Sequence, residues 1–500
     1  MGTDNRLDRG AGVLLPVFCL PSPYGIGCFG REAIEFIDLL KMAGQRYWQV
    51  LPLGPTSYGD SPYQSFSAFA GNPYFIDLRQ LASEGLISPE LAGEYSWGDD
   101  PAYVSYDVMY KNRYKVLRQA AAASRHEKTR EYRDFAEQNA YWLDDYSLFM
   151  ACKDYFGGAS WLEWDDDIKT RKPKALARYR SMLADDVAFW SFCQFEFFRQ
   201  WGAIKEYANA NGISIIGDMP IYAAMDSADV WVAPQLFLMD EELVPTFIAG
   251  VPPDAFSATG QLWGNPLYDW DAMEAQDFAW WRERIRSAHR LYDVLRIDHF
   301  IGITRYYAVP YGAPDCTTGH YCQGPKSKLT DVINEECRGM KIIAEDLGVL
   351  TDEVRALRAE NGYPGMKVIA FGFDGNPANE HLPHNYPDSN CICYGGTHDN
   401  ETLRGLFCDK SDEVLTYLFE LTGNRDREKI VPDLLRLGYG SCADVVIYQL
   451  QDILSLDNSA RINHPSTVGG NWRWRLVPGQ FGAGQARGLR ELTRIYGRLT

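Results

Sequence analysis

Three short apolar runs in this chain each lead into an acidic residue. Val294-Leu295-Arg296-Ile297 ends in Asp298, and Ile342-Ile343-Ala344 ends in Glu345. Ile392-Cys393-Tyr394 leads through Gly395-Gly396 into Thr397-His398-Asp399-Asn400. A β-strand that ends in a carboxylate delivers it to the strand's C-terminal rim. Where strands and helices alternate, the strands run parallel and their rims share one end, which a closed barrel brings to a single site. Two carboxylates with a supporting third are the side chains that glycosidic-bond chemistry requires.

The rest of the chain supports that topology. Val13–Leu20 reads as a first strand, Arg31–Ala43 as a helix with Ala33, Ile34, Ile37 and Leu40 on one face, and Tyr47–Leu51 as a second strand. Gly44 supplies the helix stop. A turn-rich loop, Gly54 to Ser67, follows at the strand's C-terminal end. Residues from about 78 to 187 carry Ala, Arg, Glu and Tyr at helical spacing and read as a mostly helical insertion. Strand-like runs resume at Ile213–Asp218, Val294–Asp298, Lys341–Glu345, Lys367–Phe371, Tyr394–Asp399 and Asp444–Tyr448, and Ala483–Leu499 closes as a helix. The Pro/Gly-rich segment 247–269 reads as a long loop, and loops of that length are usually functional. The expected fold is one (β/α)8 barrel over residues 1–500 with helical insertions, a lid loop at about 247–269, and no β-sandwich behind the barrel.

Composition narrows the substrate. A net charge of −18 disfavours nucleic acid, an anionic membrane surface or a polyphosphate, and an uncharged substrate fits best. With 14 Trp and 30 Tyr, the chain has flat rings to stack on sugar faces as well as to fill a core. Its 11 Cys lack a framework or zinc-site spacing, which points to reduced thiols in the cytoplasm and to no metal. The apolar run after Arg6 and Arg9 mimics a signal peptide but is broken by Pro16 and lacks a small-residue cleavage site, so a strand is the better reading.

Side chains alternate along a strand, so Arg296 and Asp298 share one face while Leu295 and Ile297 share the other. An Arg beside an Asp favours the carboxylate, the form a nucleophile needs. Glu345 shares its face with Ile343, and a Glu in a partly apolar site can act as general acid and then base. Each arrangement reads equally well as a buried structural ion pair. The three acids in order on three rims are what favour catalysis.

These segments, together with Ser57–Ser67, Gly217–Tyr222, Ser227–Trp231, Gly250–Phe256, Leu262–Pro266, Arg461-Ile462-Asn463 and Gly470-Asn471-Trp472, resemble the amylomaltases, bacterial-type 4-α-glucanotransferases of the α-amylase clan. The resemblance runs nearly end to end. It implies that Asp298 is the nucleophile, Glu345 the acid/base and Asp399 the transition-state stabiliser. Arg296, His299 and His398 would line the same subsite, and Tyr63 would stack on the sugar joined to the nucleophile. Asp218, Trp263, Asn265 and Asn471 would hold neighbouring rings or the frame of the site. Asp254 and Phe256 would belong to the lid, and Tyr58 would lie near an outer glucan groove. Ser466 stands where the family usually has Gly, and Met225 where it usually has an acid. The implied reaction is a retaining transfer between α-1,4-glucans and maltooligosaccharides, without cofactor. The alternative is a hydrolase of the same clan.

Overall fold

The computed structural model describes residues 5–57, 59–253 and 257–499. Among the described residues, twelve strands fall into two sheets. Eight of them are parallel neighbours in the order β10 (Gly365–Val368), β11 (Cys391–Tyr394), β12 (Val445–Gln449), β1 (Gly10–Leu14), β2 (Tyr47–Gln49), β3 (Ser214–Met219), β6 (Val294–Ile297) and β9 (Lys341–Ala344). The two ends of this sheet approach each other. The Ala344 N–H at the end of β9 donates to the Pro364 carbonyl just before β10 at 3.0 Å, and the Met366 N–H donates to Asp346 at 2.8 Å. Those bonds join the first and last strands into a (β/α)8 barrel.

The period of two predicted for the strands organises the core. Ile216, Val294, Ile343, Met366, Ile392 and Ile447 fill the lumen, while Leu295, Ile297, Ile342, Cys393 and Val446 face the helices. The N-terminal segment supports the barrel's lower end. Leu7 joins the lumen cluster, and Asn5 brackets Ile342 by donating to its carbonyl at 2.7 Å and accepting from its N–H at 2.8 Å.

Some elements end sooner than the sequence suggests. The first strand stops at Leu14, and Val17–Cys19 is a 3-10 turn flanked by extended Pro16 and Leu20. Pro16 has no N–H for a sheet ladder, which explains the stop. Ile369–Phe371 is also a 3-10 turn, and β11 occupies Cys391–Tyr394, short of the expected run to Asp399. Between positions 78 and 187 the chain is helical, with Leu78–Ser83, Tyr106–Ala123, Arg130–Gln138, Leu143–Tyr155, Asp166–Lys169 and Pro173–Met182. The helix that returns to the barrel, Ala184–Ala210, packs Phe197 and Trp201 against Phe29.

The segment 247–269 is a correction. It holds two antiparallel strands, β4 (Phe247–Val251) and β5 (Gln261–Pro266), which join β7 (Arg305–Pro310) and β8 (His320–Gln323) in a four-stranded sheet. Phe247-Ile248-Ala249 finds its ladder partner in β7, a segment 60 residues along the chain that local pattern cannot reveal. Asp254 and Phe256 lie outside the described residues.

Candidate active site

Parallel register brings the acids together. Asp218 on β3 pairs with Arg296 on β6, and Ile297 pairs with Ala344 on β9, so Asp298 and Glu345 stand one step beyond the last paired residues of adjacent strands. The ladder continues through Asp298 N–H to Met219 O and Glu345 N–H to Ile297 O, both at 3.0 Å. These bonds fix the backbone beneath both carboxylates.

Arg296 is the centre of the charge arrangement. Its Nη1 donates to both Asp218 oxygens at 2.7 and 2.6 Å and lies 3.0 Å from Asp298 Oδ1. Burial opposes its charge, but Asp218 and Asp298 outweigh burial and hold the guanidinium protonated. Asp218 also accepts from the Tyr63 hydroxyl at 2.7 Å. Arg296 therefore belongs chiefly to Asp218, and Asp298 shares a cation that is already half committed.

That sharing changes the expectation for Asp298. Withdrawal from water raises its pKa, Arg296 lowers it, and the carboxylates of Asp218, Glu345 and Asp399 raise it again, with a net upward displacement. Glu345 is raised as well, first by burial, although Arg296 and two backbone N–H groups favour its anion. Those donors are His299 N–H to Oε2 at 2.7 Å and Leu347 N–H to Oε1 at 2.9 Å. Both carboxyls are thus raised, each first by burial.

The turn after Asp298 is tight. His299 has φ 50°, uncommon for a residue with a side chain, and this conformation aims its N–H at Glu345. Its ring meets Trp263 of β5 edge-on at 4.8 Å, and burial depresses its pKa to about 4, so it is neutral near pH 7. The second sheet thus reaches the acid cluster through Trp263.

Asp399 stands on the third rim. It is half exposed, and its Oδ1 accepts from Asn463 Nδ2 at 2.6 Å, while Arg461 donates to its carbonyl at 3.0 Å. His398 is buried, with its pKa lowered by burial, and it stacks on Tyr63 at 5.1 Å with 13° between the planes. Trp472 completes this aromatic group at 5.8 Å from Tyr63 and 5.9 Å from His398.

The remaining site candidates are framework residues. Asn265 donates to Ala223 O at 3.0 Å and accepts from Gln64 at 2.9 Å, linking β5 to the loop that carries Tyr63. Asn471 spends its amide within its own loop, on His464 and Thr467. Tyr58 lies outside the described residues. Sequence reasoning did not single out Asn463, Gln64 and Trp472, although all three sit in the quoted motifs and Gly469-Gly470 before Trp472 announces a sharp turn. Among the described residues, no group of three or more His, Cys, Asp or Glu is disposed to hold a metal ion, and no helix is long and apolar enough to cross a membrane.

A family model described as 4-alpha-glucanotransferase matches residues 15–479. A 4-alpha-glucanotransferase of Clostridium butyricum is 48% identical over 485 residues, covering 96% of this chain and 99% of that protein. One from Thermus thermophilus is 45% identical over 508 residues, covering 99% and 100%. The solved amylomaltase of Streptococcus agalactiae, in complex with acarbose, superposes with a TM-score of 0.95 at 42% identity, covering 98% of this chain and 100% of that one.

Proposed function

The chain belongs to the 4-alpha-glucanotransferase family, and from that premise we propose how its residues carry out the transfer. The observation that supports the reading is the Asp298–Glu345 pair on adjacent strands, with Arg296 3.0 Å from Asp298 and Asp399 on a third rim.

An α-1,4-glucan donor lies across the rims with its scissile bond between Asp298 and Glu345. Glu345 gives its proton to the glycosidic oxygen as Asp298 attacks the anomeric carbon. The C–O bond to the leaving glucan breaks, and a covalent glycosyl-aspartate forms with inversion. The leaving fragment departs with a new 4-hydroxyl. Glu345, now an anion steadied by His299 and Leu347 N–H, takes the proton from the 4-hydroxyl of an acceptor glucan. That oxygen attacks the anomeric carbon and releases Asp298, for net retention. Asp399, held by Asn463, accepts hydrogen bonds from ring hydroxyls as positive charge develops on the sugar. Tyr63 stacks on the same sugar. Donor and acceptor are maltooligosaccharides or longer α-1,4-glucans, and the eleven free thiols suit a reducing cytoplasmic setting.

Transfer in preference to hydrolysis needs water kept from the glycosyl-enzyme. We assign that role to the hairpin of β4 and β5, which meets the site through Trp263 and His299. Shortening the hairpin between β4 and β5 is expected to raise hydrolysis relative to transfer. An unchanged product ratio removes it from this role.

The test of the reaction is incubation with maltotriose alone. Free glucose together with a ladder of longer oligosaccharides is the expected outcome. Glucose and maltose without longer products would mean hydrolysis.

A further inference from the structure

Glu345 follows β9, and β9 and β10 stand at opposite ends of the eight-strand order. Each other pair of barrel neighbours shares a ladder, whereas these two share no paired register among the described residues. At this seam Ala344 N–H donates to Pro364 O at 3.0 Å. A regular parallel ladder would continue with Met366 N–H donating to Ala344 O. Met366 donates instead to Asp346 Oδ1 at 2.8 Å. A side chain thus stands in for a backbone acceptor, one residue beyond Glu345.

Asp346 is only 5% exposed. Successive side chains of an extended backbone point to opposite sides, and Asp346 meets the helix layer while Glu345 belongs to the acid cluster. Its Oδ2 lies 3.1 Å from Arg358 Nη1 on the helix Asp352–Glu360. Burial raises its pKa, and Arg358, followed by the Met366 N–H, opposes that rise. Gly365 opens β10 against this ion pair. A Cβ there would collide with Arg358 Nη1 and both Asp346 oxygens, so the pair occupies the space that a side chain would fill.

Asp346 sits between two residues that matter to the acid. Leu347 N–H donates to Glu345 Oε1 at 2.9 Å, and Phe300 N–H donates to Glu345 O at 3.0 Å. A displacement of Asp346 therefore moves Glu345 and one of the two N–H donors to its carboxyl together. We propose that Asp346 is a positioning residue for Glu345: clamped across the seam by Arg358 and Met366 N–H, it sets where the acid/base carboxyl stands. The proposal rests on Glu345 being the acid/base, and the test separates the two.

The experiment compares two substrates. Maltotriose needs a proton on its leaving oxygen, whereas α-maltosyl fluoride loses fluoride without one. Glu345→Gln is the reference, and it should lose maltotriose transfer while keeping fluoride release in the first turnover. Asp346→Asn keeps an acceptor for Met366 and removes the ion pair, Arg358→Met removes the cation, and Gly365→Ala displaces both partners. Each should show the same split in weaker form. The kcat on maltotriose should fall by roughly 10- to 100-fold, as a displaced catalytic group does, with first-turnover fluoride release close to that of the parent. If Gly365→Ala does not fold, the other two variants decide. Arg358→Lys, which restores a cation, should lose less than Arg358→Met, and equal losses would overturn the ionic clamp. Parallel falls in both rates would mean general damage to the barrel. An unchanged maltotriose rate in Asp346→Asn and Arg358→Met would mean that Glu345 needs no such support. Either result overturns the proposal. A Glu345→Gln protein that loses both rates equally counts against the acid/base reading itself, and the proposal falls with it.

Discussion

At the residue scale, the site depends on how one cation is divided among acids. Alternation along a strand predicted that Arg296 and Asp298 share a face, and they do. It could not reveal that Arg296 is held mainly by Asp218, because β3 and β6 become neighbours only through a tertiary ladder spanning 78 residues. Tyr63 donates the third hydrogen bond to Asp218 and stacks on His398. Tyr63→Phe keeps the ring and removes the donor, and a bond to a charged acceptor contributes about 1.5 kcal/mol or more. kcat/KM should fall by roughly tenfold, whereas Tyr63→Ala, which also removes the stacking face, should fall further. Equal losses would mean that the ring contributes nothing. The division of labour between Asp298 and Glu345 has its own signature. With maltosyl fluoride, whose leaving group needs no proton, Glu345→Gln should accumulate a maltosyl-enzyme visible as a mass increase. Asp298→Asn should show no adduct and lose on the order of 10⁴-fold or more in transfer. An adduct on Asp298→Asn would place the nucleophile elsewhere.

At the scale of elements, the chain displays its strands and helices more clearly than their partners. The helix Asp352–Glu360 with its Thr351 cap and the alternation in β6 and β9 follow from local pattern. The β4–β5 hairpin does not, since its Pro and Gly residues mimic a loop and its partner strand is distant. Gly217 shows the cost of close packing at such joints. A Cβ there would lie 2.1 Å from the Tyr292 ring, which is itself buried. Gly217→Ala should destabilise the fold by about 2 kcal/mol through overpacking and weaken catalysis by shifting Asp218 next to it. Another joint is pH-sensitive. Asp452 accepts from Leu403 N–H at 2.7 Å and so anchors the helix that follows the His398–Asp399 turn. Its other oxygen, Oδ2, has no partner among the described residues, and burial raises its pKa to about 7. The unfolded chain releases that proton near pH 4. Between those two values the folded state holds the extra proton, so this site lowers stability progressively as pH rises, by on the order of 4 kcal/mol once fully developed above pH 7. Asp452→Asn keeps an acceptor for Leu403 and removes the titration. The variant should gain in melting temperature relative to the parent at pH 8 and gain much less at pH 5. A difference that does not vary with pH would rule the mechanism out.

At the scale of the whole molecule, a parallel barrel must also secure the end of its chain, and here the device is polar. Arg498 is 1% exposed, near the end of the chain. It donates to Tyr439 O at 2.8 Å, Ser441 O at 2.9 Å, Ala443 O at 3.0 Å, Gly10 O at 3.1 Å and Asp444 O at 3.2 Å. One side chain therefore joins the last helical segment to the starts of β1 and β12, which are adjacent in the barrel. Burial lowers its pKa to about 10, still well above neutrality, so it remains charged near pH 7 and is solvated by carbonyls instead of water. A lone Arg in the sequence gives no hint of this, because the acceptors are backbone oxygens from two stretches far apart in the chain, Gly10 and residues 439–444. The rim that carries the three acids lies at the opposite end of these strands, since Gly10 and Val445 open β1 and β12 while the acids follow the C-terminal ends. The acids and this terminal clasp are thus separated by the height of the barrel. Arg498→Met fills most of the volume but withdraws the shared donor from five carbonyls, and the loss of several charge-assisted bonds should cost about 3 kcal/mol or more. The denaturant midpoint should drop accordingly, while kcat on maltotriose, measured well below the unfolding transition, should stay at the parent value. A fall in kcat with an unchanged midpoint would show that the clasp acts on the site and not on the barrel.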